Sequence, residues 1–376
     1  MSENRLKQLE DLKKLRESGK FPGIPIFHKY TRFGDYMPAL IRGVMYLVTA
    51  HSGIGKTQFW KDFFLFLPIQ IMKKFPQYGI KLKFIIFLLE ETEEEFIDSL
   101  YCGLLYREKG IRIDPLELKS MKKNPLSDDM LKHLQEIQPL VDEVLSMCII
   151  NSHVYNPTGM YKFVRSYALD NGEAIYENRN FEVKDEHGNK TIEVVKVFKS
   201  YKPKDPDEYV FVITDHISLL QEEKNLETGR IMDLRETMEK WSFDYCRKQI
   251  SKNFNYIVVN IQQQVQSSDQ QEFYQGRTII DKLKPSAATL ADCKTTFRDH
   301  LVVLGLFNPN KHGLEKYPKE GGYDITKLGN AFRSVIVLKN RIGRDGLEVP
   351  LYFVGSSNYF KELPKPDEIN YEQFKQ

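Results

Sequence analysis

Short apolar runs rich in β-branched and aromatic residues recur along the chain, separated by longer stretches whose apolar positions follow helical spacing. The runs are VMYLVT (44–49), KFIIFLL (83–89), CIINSH (148–153), YVFVIT (209–214), YIVVNI (256–261), LVVLGL (301–306), SVIVL (334–338) and VPLYFV (349–354). Several are apolar on both faces, as central strands of a sheet covered on both sides must be. Helices are expected at Lys56–Lys74, Glu93–Glu108, Thr158–Asn171 and Arg230–Lys252. This alternation predicts an α/β fold with a mainly parallel central sheet flanked by helices. The last two runs lie close together and read as an antiparallel C-terminal hairpin.

Two regions depart from the alternation. Near the N-terminus Leu6, Leu9, Leu12 and Leu15 form a narrow apolar stripe on a charged helix that closes at Gly19. Such a helix is marginal alone in water and needs a partner surface, either its own domain or a neighbouring subunit. FPGIPIF (Phe21–Phe27) then reads as an extended linker, because its prolines exclude helix. Farther on, Ile175–Lys202 holds two β-rich arms around the turn DEHGN and predicts a protruding β-hairpin insertion. The expected organisation is a helix and linker over 1–41 and a core over 42–363 interrupted at about 175–202. A flexible tail follows over 364–376.

Composition narrows the field. The 376 residues carry 41% hydrophobic and 28% charged side chains with a formal net charge of +2, as in an ordinary soluble protein. Any nucleic-acid binding must therefore come from a local patch or from several subunits together. The four cysteines, Cys102, Cys148, Cys246 and Cys293, form no C-x-x-C pair; they read as reduced thiols in a cytoplasm, not a disulfide or zinc framework. No signal peptide is visible, and the greasiest stretch, FFLFLPIQIM (63–72), is too short for a membrane span.

The candidate chemistry starts directly after the first run, at TAHSGIGKTQF (Thr49–Phe59). It nearly spells the phosphate-loop pattern G-x-x-x-x-G-K-[ST], with Ala50 where the first glycine usually stands. Ser52, Gly53, Ile54 and Gly55 can supply inward backbone N–H groups, with Gln58 just inside the helix. Lys56 can supply the charge for the β- and γ-phosphates, and Thr57 a hydroxyl for Mg2+. Ala50 sits at the strand-to-loop corner, where positive φ is not required. At the tip of another apolar run, Asp215 is placed to hold Mg2+ through water; adjacent His216 reads as a packing or capping residue. Glu90 and Glu91 follow a third run, and one of them is a candidate to orient and deprotonate an attacking water. Gln262–Gln264 end a fourth run as neutral donors and acceptors able to sense a γ-phosphate. The polar loop beyond, roughly Gln266–Leu290, carries Arg277, Lys282 and Lys284 as candidate DNA-backbone contacts. Lys339 and Arg341, two apart at a strand end, are placed as cations for a neighbouring subunit's nucleotide.

In this order and spacing these elements resemble the RecA-like core of the DnaB family of replicative helicases. AHSGIGKT resembles that family's A-x-x-S-x-G-K-[TS] loop. FLLEE is similar to F-S-L-E-M and implies that the catalytic glutamate is Glu90. VITDHISLL is similar to V-V-D-Y-L-Q-L and implies Asp215 as the magnesium ligand. NIQQQ is similar to A-L-S-Q-L and implies Gln263 as the sensor. LKNRIGRDG is similar to A-K-Q-R-N-G and implies Lys339 and Arg341 as the trans-acting pair. The resemblance implies a P-loop NTPase using ATP and Mg2+, assembled as a hexameric ring on single-stranded DNA. It also implies a helicase loader or primase as partner. Residues 1–41 hold no counterpart of the family's helical collar domain, which docks primase, and the hairpin insertion has none in the family. The relaxed motifs and the missing collar domain suit a phage or mobile-element version working in a host cytoplasm. A recombinase-like ATPase that does not unwind DNA, or a nucleotide-switched loader, are the other uses this core allows.

Overall fold

A computed structural model describes residues 2–184, 190–225, 228–265, 273–274, 277–278, 280–318 and 320–374. The apolar runs become one nine-stranded sheet. Its strands are β1 (Met45–Ala50), β2 (Lys81–Leu88), β3 (Cys148–Asn151), β6 (Glu208–Asp215), β7 (Ile257–Gln263), β8 (Val302–Phe307), β9 (Phe332–Asn340), β10 (Glu348–Val354) and β11 (Tyr359–Glu362). The hairpin arms β4 (Gly172–Lys184) and β5 (Lys190–Pro203) stand outside it. The spatial order is β11-β10-β9-β8-β1-β7-β6-β2-β3. From β8 to β3 every pairing is parallel, whereas β9, β10 and β11 add an antiparallel extension. β11 is too short to stand out as a run.

Both sheet faces are covered, which explains the two-sided apolar strands. Tyr46, Val48, Phe84 and Ile86 face α2, α3 (Glu93–Lys109) and α4 (Asp128–Met147). Met45, Ile85, Phe87 and Val258 face α5 (Pro157–Asp170) and α6. α6 runs from Leu234–Glu239 into a π-helical Lys240–Ser251. α2 starts as Lys56–Trp60, widens to a π-helix over Lys61–Phe66 and finishes at Leu67–Lys74. α4 is a helix that the chain's pattern did not predict. Pro139 lies inside it, yet Leu134, Ile137, Val141 and Val144 form a buried stripe that outweighs the proline.

Two expectations change and one open alternative narrows. The segment Phe21–Phe27 is extended, but it is no free linker: Ile24–Pro25 pairs with Ala39–Leu40, and Ile24 and Ile26 are fully buried. The tail does not hang free, since Phe374 is buried against Tyr352 and the Tyr371 hydroxyl accepts from the Asp324 N–H at 2.9 Å. The stripe of α1 (Ser2–Glu17) is covered by its own domain only at its end: Leu15 is half-buried, whereas Leu6, Leu9 and Leu12 are exposed. The insertion is the expected hairpin, paired from Gly172↔Pro203 to Lys184↔Lys190; its turn lies outside the described residues. Among the described residues no helix is long and apolar enough to cross a membrane.

Candidate functional site

The parallel strands bring the chemistry-bearing residues to their C-terminal tips, the end where open α/β sheets form their crevice. β1 closes with Ala50, buried and in register with Gln263. Its backbone is extended, so the methyl group costs nothing there. The chain then turns at Gly53 (φ +74°) and Gly55 (φ +106°), conformations that favour glycine. A Cβ on Gly55 would also stand 3.1 Å from the Phe353 ring. Lys56, the first residue of α2, is buried and donates to the His51 carbonyl at 3.4 Å. Burial lowers its pKa, against the pull of Glu90 and Asp215. Two cations that the sequence did not single out brace the loop from outside. Lys311 donates to the Ser52 carbonyl at 3.3 Å and Arg333 to the Ile54 carbonyl at 2.7 Å. Only the pairing of β8 beside β1 and β9 beside β8 brings them there.

Asp215 ends β6 with 0% exposure. Trp60 Nε1 donates to its Oδ2 at 2.9 Å, while Oδ1 is buried without a hydrogen-bond partner. Burial, reinforced by Glu91, pushes its carboxyl up to about 7. The two glutamates behind β2 divide their tasks. Glu91 turns inward and accepts from Lys61 Nζ at 2.7 Å, and the same ammonium donates to Ser99 Oγ at 2.8 Å. Burial raises the Glu91 carboxyl, and its Oε1 is left without a partner. Glu90 stays exposed. Thr57, Gln58, Glu90, Glu91 and Asp215 all line one cavity of about 780 Å³. Unpartnered buried carboxylate oxygen beside a threonine hydroxyl is the donor chemistry a divalent cation takes.

The glutamines divide by strand alternation. Gln262 donates to the Ala291 and Cys293 carbonyls at 2.6 and 2.8 Å. Gln264 donates to Thr49 Oγ1 at 2.8 Å. Gln263, on the other face, lies against the His216 ring, which also senses Lys56 and Glu90. Burial and Lys56 lower the His216 pKa, so the ring is neutral at pH 7.

Lys339 and Arg341 lie at the opposite end of the sheet. The Arg341 N–H donates to the Leu301 carbonyl at 2.9 Å, and the Leu301 N–H to the Met45 carbonyl at 3.1 Å, level with the start of β1. The phosphate loop leaves the other end of that strand, about 16 Å away at about 3.3 Å per residue. β9 ends at Asn340, so the pair does not share a continuous extended segment. Arg341 is exposed. Lys339 instead donates to the Phe297 and Arg298 carbonyls at 2.7 and 2.9 Å, and burial lowers its pKa to about 8. Of the loop cations, Lys284 is tied to Glu348 at 3.2 Å and Lys282 is exposed at a short helix, Ile280–Leu283. Arg277 lies in the two-residue strand Arg277–Thr278, its side chain outside the described residues, and most of the loop before it lies there too.

A phosphate loop between β1 and α2, with an aspartate on β6 two strands away, defines a RecA-like P-loop core. Two solved structures share this fold. One is an ATPase domain, 16% identical, with a TM-score of 0.63 over 96% of this chain and 98% of that one. The other is a DnaB-like replicative helicase from a study of its interactions with primase. It is 16% identical, with a TM-score of 0.60 over 95% of this chain and 68% of that one. No protein-family model and no curated protein matches the chain. The fold is that of the ATPase domain of DnaB-like replicative helicases.

Proposed function

We propose that this chain is an ATP-hydrolysing DNA helicase that assembles into a hexameric ring and translocates on single-stranded DNA. One observation carries the reading. Lys56, Thr57, Glu90 and Asp215 converge at one end of the sheet, while Lys339 and Arg341 sit at the other end of the same sheet. A site containing both sets needs two copies of the chain, as a ring provides. ATP would supply the phosphoric anhydride whose cleavage drives movement. Lys56 would exchange the His51 carbonyl for phosphate oxygens, and the Thr57 hydroxyl and free Asp215 Oδ1 would hold Mg2+. Glu90 would orient water and accept its proton. Gln263 would report the state of the site to the loop that follows it. The exposed leucine stripe of α1 is the natural surface to lay on the next subunit.

ATPase and fork unwinding, measured together with and without single-stranded DNA, test this. Lys56→Ala is expected to abolish both activities. Arg341→Ala is expected to abolish hydrolysis while nucleotide binding persists; full ATPase activity in that variant would refute the intersubunit site. DNA-stimulated turnover without strand displacement would indicate a recombinase-like ATPase, and turnover indifferent to DNA a loader.

A further inference from the structure

The residue after Lys61 on α2 opens a second charged network. Asp62 is wholly buried, and its oxygens accept from Lys29 Nζ at 2.6 Å on both sides, from Arg107 Nη2 at 2.5 Å and from the Tyr30 hydroxyl. A carboxylate offers about four acceptor positions, and all are taken. Two cations therefore share one anion. Arg107 Nη1 donates to the Gly103 and Ser357 carbonyls and Nη2 also to Asn358, but its buried Nε has no partner. Above this floor lies a cavity of about 650 Å³ whose wall includes Lys29, Lys74, Arg107 and Arg112 and no carboxylate. Arg112 donates to the Tyr352 hydroxyl at 2.8 Å, so its charge is not neutralised by that contact. Aromatic rings complete the wall: His28 stacks on Phe75 with centroids 3.9 Å apart, and Tyr106 meets Tyr359 edge-on at 5.0 Å.

A surplus positive charge beside the buried Asp62 and an unpartnered buried N–H call for an anion. The volume is that of a small-molecule pocket, and the cations converge on one floor instead of tracking a strand. We propose that this cavity binds a nucleoside monophosphate, with the phosphoryl group among Lys29, Arg107, Lys74 and Arg112 and the base against the His28–Phe75 stack. The site is separate from the phosphate loop and does not depend on the motor reading. Burial lowers the Lys29 ammonium to about 8, with Asp62 opposing and Arg107 and Lys74 adding to the effect; a bound phosphate would raise it again.

Calorimetry on the full chain carrying Lys56→Ala, which weakens the phosphate-loop site, tests the inference with AMP, adenosine and inorganic phosphate as probes. AMP is expected to bind. Lys74→Glu and Arg112→Ala, both at exposed positions, are each expected to weaken it by about tenfold or more, the effect of losing a charged contact. Unchanged melting would show that the fold is intact. Absence of AMP binding, or AMP affinity indifferent to both substitutions, overturns the site. Phosphate binding as tightly as AMP overturns the base contact. A short oligothymidylate displacing AMP at lower concentration overturns the small-ligand assignment in favour of a strand-binding surface.

Discussion

Lys61 and Asp62 are sequence neighbours of opposite charge, both buried in the π-helical stretch of α2, yet their surroundings are mirror images. Around Lys61 acceptors are in excess: one ammonium serves Glu91, and Asp215 Oδ1 and Glu91 Oε1 stay unpartnered. Around Asp62 donors are in excess: one carboxylate serves Lys29, Arg107 and Tyr30, and Arg107 Nε stays unpartnered. Ionic balance thus leaves acceptors in excess on the Lys61 side and donors in excess on the Asp62 side. A π turn suits the task, because such turns recur at functional sites.

The comparison can be broken most forcefully at Asp62. Asp62→Ala would leave Lys29 and Arg107 buried without their counter-charge and is expected to destabilise the fold by about 3–5 kcal/mol in urea titrations. A loss below about 1 kcal/mol would show that the cations reach water and that no surplus exists. Lys61→Met should cost less, about 1–3 kcal/mol, because Glu91 can escape by taking up a proton. Its folded-state pKa, already raised by burial, would climb further above the unfolded value. The folded variant then binds more protons than the unfolded chain, so its penalty is expected to grow from pH 5 to pH 8. A pH-independent penalty would mean that Glu91 is solvated.

A third measurement sharpens the anion side. Lys29 faces Asp62, Arg107, Lys74 and the rings of Tyr30 and Tyr359. With its pKa near 8 in the empty pocket, AMP affinity should be highest below pH 8. Above it, affinity is expected to fall by up to about tenfold per pH unit as the ammonium loses its proton. AMP remains a dianion over that range, so a flat profile between pH 7.5 and 9.5 would remove Lys29 from the site. The smallest effect comes from outside both networks. Leu9→Ser on the exposed face of α1 should change the stability of the single chain by no more than about 0.5 kcal/mol. A lowered oligomer mass in light scattering would show that the stripe serves a neighbour.

The sequence by itself determined what is local. The phosphate-loop pattern is a contiguous motif whose shape depends on the backbone, so the turn at Gly53 and Gly55 was legible from spacing. Two-sided apolar runs announced a covered parallel sheet, and Asp215 could be placed at a strand tip because β6 is one of them. Two β-rich arms around a turn likewise marked the hairpin insertion, since an isolated ribbon is written in neighbouring residues. α4 stayed hidden because a proline signal is read locally while the burial that overrides it is not.

Only the tertiary structure decided between chemically equivalent neighbours. Glu91 and not Glu90 is turned inward because Lys61, one turn beyond Thr57, waits there. Gln263 faces His216, whereas Gln262 and Gln264 are tied to the segment at Thr289–Cys293 and to Thr49. The braces Lys311 and Arg333 have no signature of their own, since they matter through the strand order beside β1. The cavity over Asp62 is drawn from the segments at 28–29, 67–75, 106–112 and 359. A charge is read in sequence one residue at a time, but whether it has a partner depends on which distant segments the packed sheet and helices bring around it.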